Sequence, residues 1–154
     1  MYAERCNVFN NGYAGAECAA EGEMVLEACR LHHGQRGGAL ALGRSSLEMK
    51  ACHVYHNAMA GVSVRGSASA TLHANHIADG RSSGVHVSEG ANATLEENVI
   101  SGNRLCGVEL EGGRGAAIVA VRNELRGNGG GAWSLPGSMS QASLNETNVV
   151  TAEK

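Results

Sequence analysis

Histidine, arginine and glutamate side chains recur at regular intervals in this sequence, and their types limit the chemistry that they could perform. Arg30, His53 and His76 are separated by 23 residues at each step. Glu109 and Glu111 alternate along a short apolar segment, and paired carboxylates can act as the acid and base of glycoside hydrolysis. The chemistries to weigh are therefore carbohydrate catalysis, metal binding and polar recognition.

An internal repeat sets the spacing of these residues. Its anchors are Cys6, Cys29, Cys52, Asn75 and Asn98, each 23 residues after the last, with Asn123 a further 25 residues on. The second residue after every anchor is apolar, and the ninth residue after each of the first five is Gly. Apolar residues alternate in "GVSV", "GVHV" and "GVEL", and this period of two predicts short strands rather than helices.

The repeat also predicts how the strands are arranged. A unit of this length cannot bury its own apolar face, so neighbouring units must stack. Three short strands in each unit are typical of a single-stranded right-handed parallel β-helix, an all-β solenoid. We predict about six coils of about 23–25 residues, forming one domain over residues 1–154, with successive coils about 4.8 Å apart.

The anchor residues are predicted to lie above one another at a bend. An inward-facing Asn there can bond the backbone of its own bend and the amide of the next coil, as a buried polar group requires. Cysteine can fill the same position as a small apolar side chain. The predicted structural ladder comprises Cys6, Cys29, Cys52, Asn75, Asn98 and Asn123.

The cysteine count bears on the cellular compartment. The five cysteines are an odd number without a CxxC pair, which does not suit the disulfide framework of a secreted protein. We interpret them as reduced, buried thiols and predict a cytoplasmic, intracellular protein.

Charge and hydropathy narrow the choice of partners. The formal net charge of −3 offers no basic footprint for a nucleic acid, and no apolar run is long enough to cross a bilayer. We therefore expect no nucleic-acid partner, no membrane partner and no cofactor. Because regular coils run close to both termini, we expect either a piece of a longer protein or an end-to-end homo-oligomer.

Three segments carry a resemblance to a known family. "HNAMAGVSV", "TLHANHIADGRSSGVHV" and "TLEENVISGN" resemble the parallel β-helix repeats (PbH1 or CASH type, pectin lyase-like) of the F-box-only proteins, over roughly Cys52 to Asn103. Those proteins are substrate receptors of cullin-type ubiquitin ligases. The same repeat occurs in carbohydrate-binding and sugar-hydrolysing proteins, so the resemblance implies a fold and leaves the partner open.

Recognition is the function that these residues favour. A rigid rod with a polar face suits a protein or glycan ligand and needs no exact arrangement of catalytic groups. We therefore predict a non-enzymatic recognition scaffold, for example a ubiquitin-ligase substrate-receptor-like module. Histidines on that face could make binding depend on pH. The candidate binding face comprises Arg30, His53, Tyr55, His76, His86, Glu109 and Glu111.

Two other functions stay open at this point. His33, His56 and Asp79 occupy one position of successive coils and could act as metal ligands. The alternative to a scaffold is a carbohydrate-active enzyme of the polysaccharide lyase or hydrolase kind. In that case Glu109 and Glu111 could be its acid/base pair, because Asp79 is the only aspartate and an aspartate cluster is impossible.

Overall fold

A computed structural model describes residues 1–112, 115–137 and 139–151 of the chain. Within those residues the chain is almost entirely short strands. In chain order the elements are β1 (Tyr2–Glu4), β2 (Asn7–Phe9), β3 (Ala16–Cys18), β4 (Glu23–Glu27), β5 (Arg30–His32), β6 (Ala39–Ala41), β7 (Ser46–Lys50), β8 (His53–Tyr55), β9 (Val62–Val64), β10 (Ser69–His73), β11 (His76–Ala78), β12 (Val85–Val87), β13 (Asn92–Glu96), β14 (Val99–Ser101), β15 (Val108–Leu110), β16 (Ala117–Val121), β17 (Glu124–Arg126), β18 (Trp133–Ser134), α1 (Gln141–Asn145) and β19 (Val149–Thr151).

These strands form three parallel sheets, and the chain visits each sheet once per coil. Sheet 1 has the order β1-β4-β7-β10-β13-β16, sheet 2 the order β2-β5-β8-β11-β14-β17-β19, and sheet 3 the order β3-β6-β9-β12-β15-β18. The parallel β-solenoid of about six coils that the repeat predicts is therefore confirmed.

The register keeps equivalent residues of successive coils side by side. In sheet 1, Leu72 pairs with Met49 on one side and with Leu95 on the other. In sheet 2, Ile77 pairs with Val54 and Ile100 in the same way. Because alternate strand residues point to opposite faces, each inward column lies over itself and fills the interior with aliphatic side chains.

The core consequently needs few aromatic residues. Several large aliphatic residues of the core have at most 1% of their surface exposed, namely Leu72, Ile77, Leu95, Ile100 and Val85. Stacked columns of similar side chains interdigitate at the density that protein interiors require.

Left-handed residues mark the bends between the sheets. The bend before sheet 2 has a positive φ at Ala28, Ala51 and Ala74, and the bend after sheet 2 has a positive φ at His33 and His56. These residues turn the chain sharply in every coil, which is how strands of three to five residues close into a compact cross-section.

Asparagine side chains connect the coils at the first of these bends. The backbone N–H of Cys52 donates to Asn75 Oδ1 at 2.9 Å, and the backbone N–H groups of Asn75, Asn98 and Asn123 donate in turn to the next asparagine of the column, which ends at Asn148. The side-chain amides also bond backbone carbonyls of the preceding coil, so these buried polar groups are satisfied.

A second asparagine column lies at the bend after sheet 2. The backbone N–H of Gly34 donates to Asn57 Oδ1 and that of Gly80 to Asn103 Oδ1, both at 3.0 Å. The backbone N–H and the side-chain Nδ2 of Asn103 both donate to Asn128 Oδ1. At the two glycines the contact is close, since a Cβ on Gly34 or Gly80 would lie 3.0 Å or 3.2 Å from the asparagine oxygen of the next coil.

The cysteine positions differ partly from the prediction of buried thiols. Cys18, Cys29 and Cys52 are buried, whereas Cys6 is exposed and Cys106 is half-buried. Cys6 lies in the first coil, where a single neighbouring coil covers the ladder position. The Sγ of Cys29 and of Cys52 lies within 3.5 Å of backbone carbonyls, as a weak thiol donor would.

Among the described residues, no helix is long and apolar enough to cross a membrane. The single domain over residues 1–154 and the end-to-end association of chains stay predictions.

Candidate functional site

The candidate binding residues fall on two different faces of the solenoid. Sheet 2 carries one group, and the third strand of each coil together with the residue that follows it carries the other. The sheet 2 group is Arg30, His53, Tyr55 and His76, and the sheet 3 group is His86, Glu109 and Glu111.

Aromatic rings stack along the outer face of sheet 2. The rings of Phe9, His32 and Tyr55 form one column, with centroid separations of 5.4 Å and 4.6 Å and interplanar angles of 10° and 5°. These residues are register partners in three successive strands, so the strand spacing itself brings the rings to stacking distance.

A histidine pair lies next to that column. The rings of His53 and His76 are 4.8 Å apart and nearly parallel, and Tyr55 lies 4.2 Å from His53. Partial burial lowers the pKa of His53 from its ordinary value, and the positive charges available on His76 and Arg30 lower it further. Burial also lowers the pKa of His32, with His33 and Arg30 acting in the same direction. The neutral forms of the His32 and His53 imidazoles are therefore favoured.

The predicted metal ligands His33, His56 and Asp79 are not among the described clusters in which three ligand atoms lie close together. All three occupy left-handed bend positions, with φ of 52°, 54° and 52°. Among the described residues, three ligand atoms lie within 4.8 Å of one another in two other clusters, His73 with Glu96 and Glu97, and His86 with Glu109 and Glu111. The rings of His33 and His56 instead pack against each other with their centroids 5.0 Å apart, and His56 Nδ1 lies 3.4 Å from the backbone carbonyl oxygen of Asp79.

A groove of about 650 Å³ runs along the outer face of sheet 3. Most of the residues that line it come from three positions of the coil, namely the seventh, eleventh and thirteenth residues after the anchor. The seventh position contributes Tyr13, Arg36, Met59, Ser82 and Leu105. The eleventh contributes Glu17, Leu40, Ser63, His86 and Glu109, and the thirteenth contributes Arg65, Ser88 and Glu111. The groove therefore crosses five coils.

Titratable groups meet at one end of this groove. His86 Nε2 lies 2.9 Å from Glu111 Oε1, and Glu109 is the register partner of His86 on the adjacent strand. The Ser83 hydroxyl donates to Glu109 Oε2 at 2.7 Å, and Ser83 is fully buried. An imidazole and two carboxylates so placed can exchange protons with a ligand or hold a cation.

A cation and an aromatic ring occupy the opposite end. The Arg36 guanidinium lies 5.1 Å from the centre of the Tyr13 ring, which is within the range of a cation–π contact. Sequence reasoning did not select Tyr13, Arg36 or Ser83. The repeat could have indicated Tyr13 and Arg36, because both residues follow an anchor by seven positions.

Comparison with known families identifies the handedness of the β-helix. The family described as "Right handed beta helix region" matches residues 2–149, which is nearly the whole chain. The chain belongs to the right-handed β-helix family. No curated protein matches the sequence, so the comparisons support the parallel β-helix and not the narrower resemblance to the F-box-only proteins.

Solved structures of an alginate epimerase share this fold. The crystal structure of the periplasmic alginate epimerase AlgG is similar with a TM-score of 0.77 and 17% identity, over 98% of this chain and 38% of that one. A double mutant of that enzyme matches with a TM-score of 0.73 and 18% identity, over 85% of this chain and 35% of that one. This chain thus spans about two fifths of the length of the enzyme, and the likeness is one of fold.

The comparison also corrects the predicted location. The prediction of a cytoplasmic, intracellular protein is wrong by this finding, because the solved structures that share the fold are those of a periplasmic protein. The physical reason is that a buried free thiol behaves as a small apolar side chain, so an odd cysteine count does not report the redox state of the compartment.

Proposed function

We propose that this chain binds a glycan strand in the groove over sheet 3. The observation that supports this most is the shape of the groove. It crosses five coils, so it extends for about 19 Å at the usual strand spacing, and its volume of about 650 Å³ lies in the range of small-molecule sites. An elongated site suits an elongated ligand.

The lining of the groove suits sugars better than an apolar ligand. Carboxylates at Glu17 and Glu109 accept hydrogen bonds from hydroxyl groups, and the guanidinium groups of Arg36 and Arg65 donate to hydroxyl or carboxylate oxygens. The Tyr13 ring offers a flat apolar surface beside these polar groups. A carboxylate-bearing sugar would place its charge toward the two arginines.

Binding of alginate oligosaccharides tests the proposal, with a glycan array to cover neutral sugars. We expect Arg65→Ala to weaken binding about tenfold, since one charge-assisted hydrogen bond of about 1.5 kcal/mol is lost. Arg30→Ala is the matched control, because it removes the same side chain from sheet 2, outside the groove. Equal losses in both variants, or none in either, would contradict binding in the groove.

Catalysis on the bound sugar is the second candidate, and the contact between His86 and Glu111 favours it. With Nε2 and Oε1 at 2.9 Å, the carboxylate can orient the imidazole for proton transfer, while Glu109 lies on the neighbouring strand as a second acid or base. The similar solved structures belong to an epimerase, an enzyme. Turnover of a polysaccharide panel that His86→Gln abolishes, with binding retained, would support an enzyme.

A protein ligand in the same groove is what the resemblance to F-box-only receptors implies. A peptide array run beside the glycan array separates the two. Capture of peptides with no retained glycan, again sensitive to Arg65→Ala and not to Arg30→Ala, would assign a protein partner and overturn the glycan proposal.

A further inference from the structure

We infer that the groove holds a divalent metal ion of the zinc class between His86, Glu109 and Glu111. One ligand atom from each residue lies within 4.8 Å of the other two. The three side chains converge from two adjacent strands, β12 and β15, and from the residue after β15. This inference goes beyond glycan binding and does not depend on it.

The geometry is close to what a zinc ion requires. Zinc bonds to histidine nitrogen and carboxylate oxygen are about 2.0–2.2 Å, so tetrahedral ligand atoms lie about 3.3–3.6 Å apart. His86 Nε2 and Glu111 Oε1 are now 2.9 Å apart, and the other separations do not exceed 4.8 Å. By the same bond lengths, closing a separation of 4.8 Å to this range takes about 1.2–1.5 Å, which two side chains can share by small rotations.

The charge balance distinguishes this cluster from the other one. At His73, Glu96 and Glu97, the Arg122 guanidinium contacts both carboxylates and offsets one of their two negative charges. In the groove the contacts recorded for the two carboxylates, within the described residues, are the His86 imidazole and the Ser83 hydroxyl. Two carboxylates facing one imidazole leave a net negative charge that a divalent cation would balance.

The ligand types favour zinc over calcium. Calcium takes six to eight oxygen ligands, whereas zinc commonly takes three protein ligands of mixed nitrogen and oxygen and keeps one position open. The buried Ser83 hydroxyl holds Glu109 Oε2, which is the kind of outer hydrogen bond that orients a ligating carboxylate. The open position would face the groove. This assignment differs from the expectation of no cofactor.

Calorimetric titration of Zn²⁺ into the chelator-treated chain tests the inference. A Cys6→Ser, Cys106→Ser background removes the two thiols that are not buried. We expect one ion per chain, and about tenfold or greater weakening in Glu109→Gln and in Glu111→Gln. Glu97→Gln is the matched control, because it removes a carboxylate from the other cluster and should bind zinc like the parent. Co²⁺ absorption in the same variants reports the ligand geometry directly.

Each outcome decides the question. Absence of binding, unchanged binding in both groove variants, or loss of binding in Glu97→Gln would overturn the inference, provided thermal melts show the variants folded. Calcium binding at the site with no preference for zinc would overturn the zinc-class assignment. Zinc binding by a chain that retains no glycan would leave the metal site standing and refute only the glycan proposal.

Discussion

Asn98 Oδ1 accepts two hydrogen bonds from Asn75, one from the backbone N–H at 2.9 Å and one from the side-chain Nδ2 at 3.0 Å. The Nδ2 of Asn98 donates in turn to the carbonyl of Leu72 at 2.8 Å and to Asn123 Oδ1 at 2.9 Å. One buried amide thus joins its own coil to the coils on both sides.

Replacing this amide should destabilise the fold. Asn98→Leu removes the acceptor of the buried Asn75 N–H, and we expect a loss of about 1–3 kcal/mol in the free energy of unfolding. Urea denaturation measures it. Asn92→Leu, at an exposed position of β13, is the matched control and should change stability by less than about 0.5 kcal/mol. Equal stability of the two variants would count against the ladder.

The glycine that precedes five of the six strands of sheet 3 should resist substitution. A Cβ on Gly84 would lie 2.7 Å from the Gly107 carbonyl oxygen and 2.6 Å from Ile100 Cγ2. The backbone of the next coil cannot withdraw alone, so we expect Gly84→Ala to cost about 1–3 kcal/mol. Gly12→Ala meets no atom within 4 Å and serves as the control. Melting temperatures that fall equally, or not at all, would refute the close approach between coils.

Stability should fall as the solution is acidified. The pKa values of His32 and His53 are lowered in the folded chain, chiefly by burial. Just below about pH 6.5, the ordinary histidine pKa, the unfolded chain therefore binds more protons than the folded one. Linkage then makes the free energy of unfolding increase with pH across this range and decrease on acidification.

A series of denaturation curves between pH 5 and pH 7.5 measures this effect. The double variant His32→Asn, His53→Asn should show a shallower dependence on pH than the parent chain. An identical slope in both proteins would show that the stacked histidines of sheet 2 do not contribute.

Thiol reactivity should report the coil position of each cysteine. Cys6 is exposed, whereas 1% of Cys29 and 2% of Cys52 is accessible. Burial raises the pKa of the Cys52 thiol, which further disfavours the reactive thiolate. We expect a disulfide reagent to modify Cys6 at once and Cys29 and Cys52 only after unfolding. Loss of the fast phase in Cys6→Ser identifies it, and rapid modification of all five thiols would contradict the described burial.

The strands and coils could be predicted from the sequence because stacking imposes the same demand in every unit. Leu72 and Leu95 face the core at equivalent positions and are register partners, so a period of two within a period of 23 residues was sufficient. The anchor column followed from one chemical need, since a buried amide must be bonded.

The second asparagine column was not predicted because its residue types alternate. Gly80 lacks a side chain, and the amide that bonds its N–H comes from Asn103 in the next coil. A column that mixes glycine and asparagine reads as a set of turns until the contact between coils is known.

The groove could not be predicted from residue types. Tyr13, Arg36 and Met59 share a position in the repeat and have no chemistry in common. Only the curvature of the bend before sheet 3 brings them beside Ser63 and His86. The proposed ligands His33 and His56 shared a column as well, but their left-handed backbone directs the rings toward each other and toward Tyr55.

Each coil along the groove contributes residues from the bend before its sheet 3 strand and from the strand, and three coils add the residue after the strand, so the groove lengthens coil by coil. Duplicating a unit such as residues 75–97 would lengthen the groove by one strand spacing, about 4.8 Å. The existing strand pairs would be kept. The number of repeats therefore sets the length of ligand that the groove can hold. Adding or removing a repeat, in evolution or by design, changes that length by a fixed amount and leaves the core residues unchanged.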